Sequence, residues 1–473
     1  MRIIQLFRTH VQLCAAALAL SMTGAALAQS ATIEDQSRVA RLAVIEGQVS
    51  IFRDTEDGWR GARQNAPLQA ENSIWTEGAS RADVRLGASA FRFGYDTVFD
   101  FLRMSGDQTL GYLQRGTVQV RVRTYRENDF ADKIAIETPN GRAVFESDGR
   151  YRVETLASSN ETRVTVFAGR ARFEQGNSRL AIEPGRELMV KGVGAQLDVR
   201  YFTAQDTDLD RWADARDARW DQAHARLSRE AMVSPYMTGY EELDEHGEWI
   251  DSGDYGRVWA PRVVIAGWAP YRYGHWTYVR PWGWTWIDDA PWGFAPFHYG
   301  RWVVIRNRWC WWPGVYQPRP AYAPALVAWF GSNGAGVRFG SGPHVGWFPL
   351  APREVYIPRY SHSPLYANNI NYVTGNVVLV PPPRYHNHHH GATFVTNDVF
   401  IGSRPVGGQY VRRPPADVFN APIASHVDVR PRPPRDPRVM PDRIQPPASQ
   451  GGPSPVAPFI AAPRPSPPVV KRL

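Results

Sequence analysis

The sequence predicts a mainly β chain: an N-terminal antiparallel β-sandwich or roll, a linking amphipathic helix, a Trp-rich β-hairpin repeat domain and a disordered Pro/Arg-rich C-terminal tail. Three observations carry this. From Val39 to Phe202 apolar residues recur with period two, broken by turn residues and not by helical spacing. Between Gly267 and Trp312 one aromatic unit occurs twice: Trp268-Ala-Pro-Tyr271 aligns with Phe294-Ala-Pro-Phe297, and Tyr273-Gly-His-Trp276 with Tyr299-Gly-Arg-Trp302, 26 residues on. Such self-similarity marks a repeated supersecondary unit. The 473 residues include 40 Gly and 39 Pro, a supply of turn formers that suits many short strands.

The N-terminus reads as a secretory signal, residues 1–28. Arg2 and Arg8 supply positive charge, Val11–Leu20 an apolar run, and Ala26-Leu27-Ala28 a small-residue cleavage site. Cleavage is expected after Ala28, which sends the mature chain to the periplasm or outside the cell. No other run is long and apolar enough to cross a bilayer, so no transmembrane span is expected after signal cleavage. Cys14 falls in the signal, where Val-Gln-Leu precedes it and the small residue of a lipoprotein site is missing. Cys310 is then alone and no intrachain disulfide can form. An exported chain without that staple relies on its core. The formal charge of +8 rests on Arg, the only lysines being Lys133, Lys191 and Lys471. A basic surface suits anionic polymers or phospholipid head groups. Export argues against nucleic acid as the partner.

Residues 39–202 form the expected β domain. Val44–Ile51 opens it; Ala82, Val84 and Leu86 alternate with Asp83 and Arg85; Val118, Val120 and Val122 alternate with Gln119 and Arg121. Ile134 and Ile136, Tyr151 and Val153, Val164 and Val166, and Leu188 and Val190 continue the pattern. Strands recurring roughly every 8–15 residues predict a sandwich or roll with one solvated face. The segment resembles the FecR domain of bacterial envelope proteins. The likeness lies in Glu46-Gly-Gln-Val49, Asn65-Ala-Pro-Leu68, Ile74-Trp-Thr76, Ser80-Arg-Ala-Asp-Val-Arg-Leu86, Gly116-Thr-Val118, Ile136-Glu-Thr-Pro-Asn140, Gly149-Arg-Tyr-Arg-Val153 and Phe167-Ala-Gly-Arg-Ala171. Well-known members of that family resemble periplasmic sensors that relay a signal to a cytoplasmic sigma factor. That role takes a cytoplasmic N-terminal segment and a retained membrane helix. The reading of residues 1–28 as a cleaved signal supplies neither, so the resemblance implies a β-rich interaction module of the envelope.

Residues 205–232 switch to helical spacing through Leu209, Trp212, Ala213, Arg216, Trp220, Ala223 and Leu227. Thr207 with Asp210 is a capping box, and Asp206, Asp208 and Asp210 suit the positive helix start. Ser234-Pro235 ends it. The interleaved Asp and Arg predict a solvated, salt-bridged outer face.

Residues 240–352 form the Trp/Tyr/Pro-rich repeat domain. Trp282, Trp284 and Trp286 alternate, and Arg280-Pro-Trp-Gly283 suits a tight turn. Trp276–Val279 therefore pairs with Trp284–Ile287, and Trp302–Ile305 with Trp309–Trp311 across Arg306-Asn307. Two readings of the rings stay open. Buried, each adds an apolar payload of roughly 150–250 Å² to a core. Exposed, they form a stacking platform for a sugar or a protein, with Trp268, Tyr273, Trp276, Trp282, Trp284, Trp286, Tyr299 and Trp302 as its members. The region resembles a Trp/Pro-rich C-terminal domain found after FecR-like modules in exported bacterial proteins. The likeness rests on Gly247-Glu-Trp249, Tyr255-Gly-Arg-Val-Trp259-Ala-Pro261, Asp289-Ala-Pro-Trp-Gly-Phe-Ala-Pro296 and Val345-Gly-Trp-Phe-Pro-Leu350. That domain carries no assigned activity. Residues 353–411 read as a Pro-containing irregular region, and 412–473 as a disordered, basic, partly polyproline tail.

Few residues suggest chemistry. The cluster His386-Asn-His-His-His390 has no Cys or acidic residue beside it in the sequence, so no metal site is assigned. Adjacent Asp288 and Asp289 point to opposite faces on a strand and make a poor carboxylate pair, so a turn role is expected. His275 and His298 suit turns or packing. Cys310 among Trp309, Trp311 and Trp312 reads as buried and inert. No catalytic residue and no cofactor is assigned. The expected function is that of an exported, non-enzymatic envelope interaction protein, with an envelope protein or glycan as partner. Alternatives are a carbohydrate or peptidoglycan binder using the Trp repeats, or a regulator in an anti-sigma pathway.

Overall fold

The computed structural model describes residues 38–431, apart from 54–57, 107, 125–132, 228–232, 341, 373–381, 383 and 409–410. The expected signal peptide and residues 432–473 of the expected tail lie outside the described residues. The protein is mainly β. Between Ala40 and Thr203 the described strands form two layers that share one long strand, Gln108–Val122. Its first half pairs with Thr97–Ser105 and, in parallel, with Lys133–Thr138. Its second half pairs with Ser89–Phe93 and Gly149–Leu156 in the other layer. The strand changes layer around Gly116, where φ is +91° and a Cβ would stand 2.5 Å from the Thr97 Cα. Only glycine fits such a crossing.

The period-two residues meet between the layers. Val84, Phe91, Phe99, Phe101, Val118, Val120, Tyr151, Val153, Val164 and Val166 are fully buried there. Two features depart from expectation. One pair in the sandwich is parallel. The second is the outer face of the Gln108–Val122 layer, which was expected to be solvated. Asp83, Arg85, Arg92 and Gln119 point away from the apolar core yet are buried, because a helix lies across them.

That helix is Asp208–Leu227, inside the expected 205–232. Its start is the reciprocal box read from the sequence: Thr207 N donates to Asp210 Oδ2 at 2.9 Å, and Asp210 N to Thr207 Oγ1 at 3.4 Å. Leu209, Ala213, Trp220, Ala223 and Leu227 are buried as spaced. Asp210 and Asp217 are buried with them, which corrects the solvated reading of the charged face. They are drawn inward by arginines projecting from the sheet.

The second half of the chain is built on aromatic hairpins. Gly274–Val279 pairs with Gly283–Asp288, setting Trp276 opposite Trp286 and Tyr278 opposite Trp284. Arg301–Ile305 pairs with Arg308–Trp312, setting Trp302 opposite Trp311. Arg306 and Asn307 both have positive φ, 48° and 62°, the geometry of a two-residue hairpin turn. The repeat copies touch: the Tyr271 hydroxyl donates to the Phe297 carbonyl at 2.8 Å, and these aligned rings stand at 90° with centroids 5.0 Å apart. Residues expected as irregular or tail complete this core. Thr393–Thr396 pairs with the strand Gly342–Pro349, Phe400 packs on Trp276, and Ile423–Ala424 pairs with Trp329–Phe330. Residues 412–431 thus depart from the tail reading where they meet aromatic partners that an isolated Pro-rich segment lacks.

Trp276 is fully buried, with centroids 5.3 Å from Trp286, 4.8 Å from Trp329 and 5.3 Å from Trp347. Trp276→Ala is expected to lower unfolding free energy by about 3–5 kcal/mol, read from the urea midpoint. A loss within about 0.5 kcal/mol would mean that the ring is not part of a packed core.

Candidate functional site

The eight aromatic residues assigned to a platform do not form one. Trp276, Trp286 and Trp302 are 0–1 % exposed, and Trp282, Trp284 and Tyr299 are buried. Only Trp268 and Tyr273 are half-buried. The reason is geometric. Rings from both repeat copies meet edge to face, and several indole N–H groups are spent on backbone carbonyls. Trp302 donates to Pro296, Trp311 to Tyr299, Trp347 to Tyr271 and Trp259 to Leu243, each at 2.8 Å. An indole so bound presents no face to a sugar. The aromatics are core, and the platform reading is corrected.

Two of the eight, Trp282 and Trp284, do reach an opening. A cleft of about 260 Å³ lies at the end of the first hairpin, among Tyr278, Pro281, Trp282, Trp284, Tyr360 and His426. Residues 425–427 of the chain form one wall. This stretch bends at Ser425 and His426 and is pinned on both sides: Ile423 stands opposite Phe330, Gly331 N donates to the Pro422 carbonyl at 2.7 Å, and Asp428 N to the Gly334 carbonyl at 2.9 Å. The Trp284 indole donates to the Val429 carbonyl at 2.7 Å. The cleft thus already holds a polypeptide segment along one edge, by backbone pairing and an indole hydrogen bond.

A second constellation, not foreseen in the sequence, lies where the β domain, the helix and the aromatic half meet. Asp83 is fully buried and bonded to Arg85 at 3.0 Å and Arg216 at 2.6 Å, with Arg92 at 3.7 Å. Burial opposes its charge, yet these three guanidiniums hold its carboxyl well below the usual range. Asp217 bonds Arg92 and, at 2.9 Å, Arg123; burial again opposes ionisation and the guanidiniums lower its pKa. Arg41 reaches across to Glu241 at 3.2 Å and Glu242 at 3.3 Å, to Asn65 Oδ1 at 3.0 Å and to the Pro291 carbonyl at 2.6 Å. Asn65 in turn donates to the carbonyls of Asp288 at 3.0 Å and Ala290 at 2.8 Å. The sequence held a signal for this seam: Asp83, Arg85 and Arg92 on one strand face, and Asp210 and Asp217 one heptad apart beside Ala213 and Trp220.

A cavity of about 350 Å³ opens beside the seam, among Arg85, Arg216, Arg219, Arg226, Glu241 and Glu242. Its acids face arginines whose charge is fixed at any ordinary pH. Acid/base work near neutrality needs a group poised there. Burial raises the carboxyl of Glu241, at the cavity, above its ordinary range, with Arg41 and Arg85 opposing the shift; it also raises that of Asp288. Burial pushes its carboxyl from an ordinary value of 3.8 to about 8, against two N–H donors, Trp286 Nε1 and Ala290 N, each at 3.0 Å. It lines neither opening. It closes the turn after the hairpin, the role its position suggested. His275 and His298 are buried, and desolvation lowers both to about 3, so they are neutral packing groups. His388 and His389 lie against Phe419, and His390 against Trp309. Cys310 is buried, and burial raises its thiol pKa.

A model described as a family of unknown function, DUF6600, matches residues 240–354, which hold both aromatic hairpins. No curated protein matches. Two crystal structures of a "putative anti-sigma factor" from Parabacteroides distasonis ATCC 8503 are partly similar. The first has 12 % identity and a TM-score of 0.26, covering 30 % of this chain and 64 % of that one. The second has the same identity and TM-score, with coverages of 32 % and 72 %. The chain therefore spans less than two thirds of the first of these.

The folded Asp288 keeps a proton that the unfolded chain releases above its ordinary pKa. Its contribution is full below the unfolded value and is lost as pH rises through the folded one, about 8. Asp288→Asn removes this titration. Its urea midpoint is expected to gain on the wild type from about pH 4 to pH 8 and to hold a constant lead above. A lead that does not change with pH would contradict a buried, protonated Asp288.

Proposed function

We propose that this chain is an exported, non-enzymatic envelope protein that works by binding an extended polymer strand in the cleft at Tyr278, Trp282 and Trp284. The observation that carries this reading is the segment 422–429, which holds the two-residue strand Ile423–Ala424 and bends at Ser425 and His426. It lies along that cleft with its backbone paired to Trp329–Phe330 and one carbonyl held by the Trp284 indole. A second strand beside it would meet Tyr278, 38 % exposed, and the proline faces of Pro281 and Pro324. Aromatic and proline walls suit recognition by shape and stacking, and Arg359, Tyr360, Ser425 and His426 add polar groups to the lining. Three further points support binding over bond-making. The carboxylates of the seam are matched to arginines, the near-neutral Asp288 lies off both openings, and the FecR-like resemblance implies an interaction module. A peptide is the favoured ligand class, because a segment of the chain's own backbone already occupies one edge, held by the Trp284 indole. A glycan strand is the second.

The reading is tested by titrating intrinsic tryptophan fluorescence with proline-containing peptides and with soluble peptidoglycan fragments. A saturable change is expected with at least one class, and Tyr278→Ala should weaken it about tenfold, roughly 1.4 kcal/mol, without altering the unfolding midpoint. No response to either class, or turnover of any of these ligands by the purified protein, would overturn it.

A further inference from the structure

The loop Arg262–Trp268 joins the strand Gly256–Pro261 to the first repeat unit, and its tip is Val263-Val264-Ile265. These three branched aliphatic side chains are 81 %, 48 % and 56 % exposed. Scattered exposed apolar residues are ordinary; three in succession at a loop tip are not. The tip lines none of the cavities described above, and its side chains are open to solvent. Its backbone is held firmly. Trp268 N donates to the Ile265 carbonyl at 3.1 Å and closes the turn. Arg262 donates to the carbonyls of Glu245 at 2.8 Å and Gly247 at 2.7 Å. Arg272 donates to the carbonyls of Gly267 and Ala392, each at 2.6 Å.

Arg262 is exposed beside the tip, and Arg272, half-buried, also donates to Thr393 Oγ1 at 3.1 Å. Their acceptors are neutral, and among the described residues neither meets a carboxylate within ion-pair distance. The neighbouring acid Glu248 is taken by Arg308 at 2.6 Å, which leaves Glu245 as the nearby counter-charge. Trp268 is half-buried, its ring 5.9 Å from Trp292 and 5.6 Å from Trp302. Three exposed aliphatic side chains, two arginines and a half-buried indole are thus gathered in one loop region, the residue types that meet acyl chains, phosphates and the interface of a lipid leaflet.

We propose that the Val263–Ile265 tip inserts into the surface of a lipid bilayer, with Arg262 and Arg272 facing lipid phosphates, and so holds the protein against a membrane as a peripheral anchor. A fluid leaflet fits a tip of exposed branched aliphatics, whereas a protein partner would need a matching hollow. The insertion is reversible, because three short side chains give far less anchorage than a spanning helix.

The experiment is co-sedimentation of the purified full chain with vesicles of phosphatidylglycerol and phosphatidylethanolamine, and with vesicles of phosphatidylcholine alone. The comparison variant is V263D/I265D, whose substitutions fall on exposed side chains and leave the core intact. The wild type is expected to sediment with the anionic vesicles, more weakly with phosphatidylcholine, and the double variant to lose at least tenfold in partitioning on both. Near-equal partitioning of wild type and variant overturns the proposal. So does a wild type that stays in the supernatant with both vesicles, or one that self-associates through the tip, seen as a dimer in sedimentation velocity that the variant abolishes.

Discussion

Buried charge is the constraint on which this structure turns. Asp83, Arg92 and Arg41 are all at 0 % exposure. A buried ion without a partner costs several kcal/mol, so each must find its counter-charge or a set of fixed dipoles. The partners come from far along the chain: Asp83 and Arg92 of the β domain meet Arg216 and Asp217 of the helix, and Arg41 meets Glu241 and Glu242 at the threshold of the aromatic half. Asn65 then fixes the turn at Asp288. Replacing such a network by apolar residues is often neutral in stability; removing one partner is not. What the seam fixes is arrangement, since every other placement of helix or hairpin leaves a charge stranded.

The aromatic half meets a different difficulty. With Cys310 the only cysteine in the described residues and many short strands to hold, it draws stability from ring burial. The repeat supplies two similar units whose rings pack on each other, the aligned pair Tyr271 and Phe297 and the unaligned pair Trp268 and Trp302. Stacking copies against one another buries faces that neither could cover alone. Using the rings this way removes most of them from the surface.

Much of this was legible in the sequence, and the limits have physical causes. Local signals read well. Alternation at Val118, Val120 and Val122 gave an inward strand face, Thr207 and Asp210 gave the helix start, and the turn at Pro281 gave the pairing of Trp276–Val279 with Trp284–Ile287, though the register is one residue off, with Trp276 opposite Trp286. Non-local pairing did not read. Asp83 and Arg85 look solvated until a helix bearing Asp217 and Arg216 is placed over them. The spacing that makes Asp217 share a face with Ala213 and Trp220 is visible, but its partner lies about 125 residues away. Exposure of the rings could not be read either, because period two assigns a face without saying what covers it. Residues 412–431 looked too poor in apolar side chains to order, yet Val418, Ile423 and Val427 find an aromatic surface made by other segments.

The described residues fall in one compact unit, and the seam is what joins β domain, helix and aromatic half within it. Native-state hydrogen exchange on Asp217→Asn tests this most directly. With the seam broken, amides of Gln108–Val122 and of the hairpin Gly274–Asp288 should both lose protection, by a common amount of about 3–5 kcal/mol. Loss confined to one of the two segments, with the other still opening as in the wild type, would contradict it.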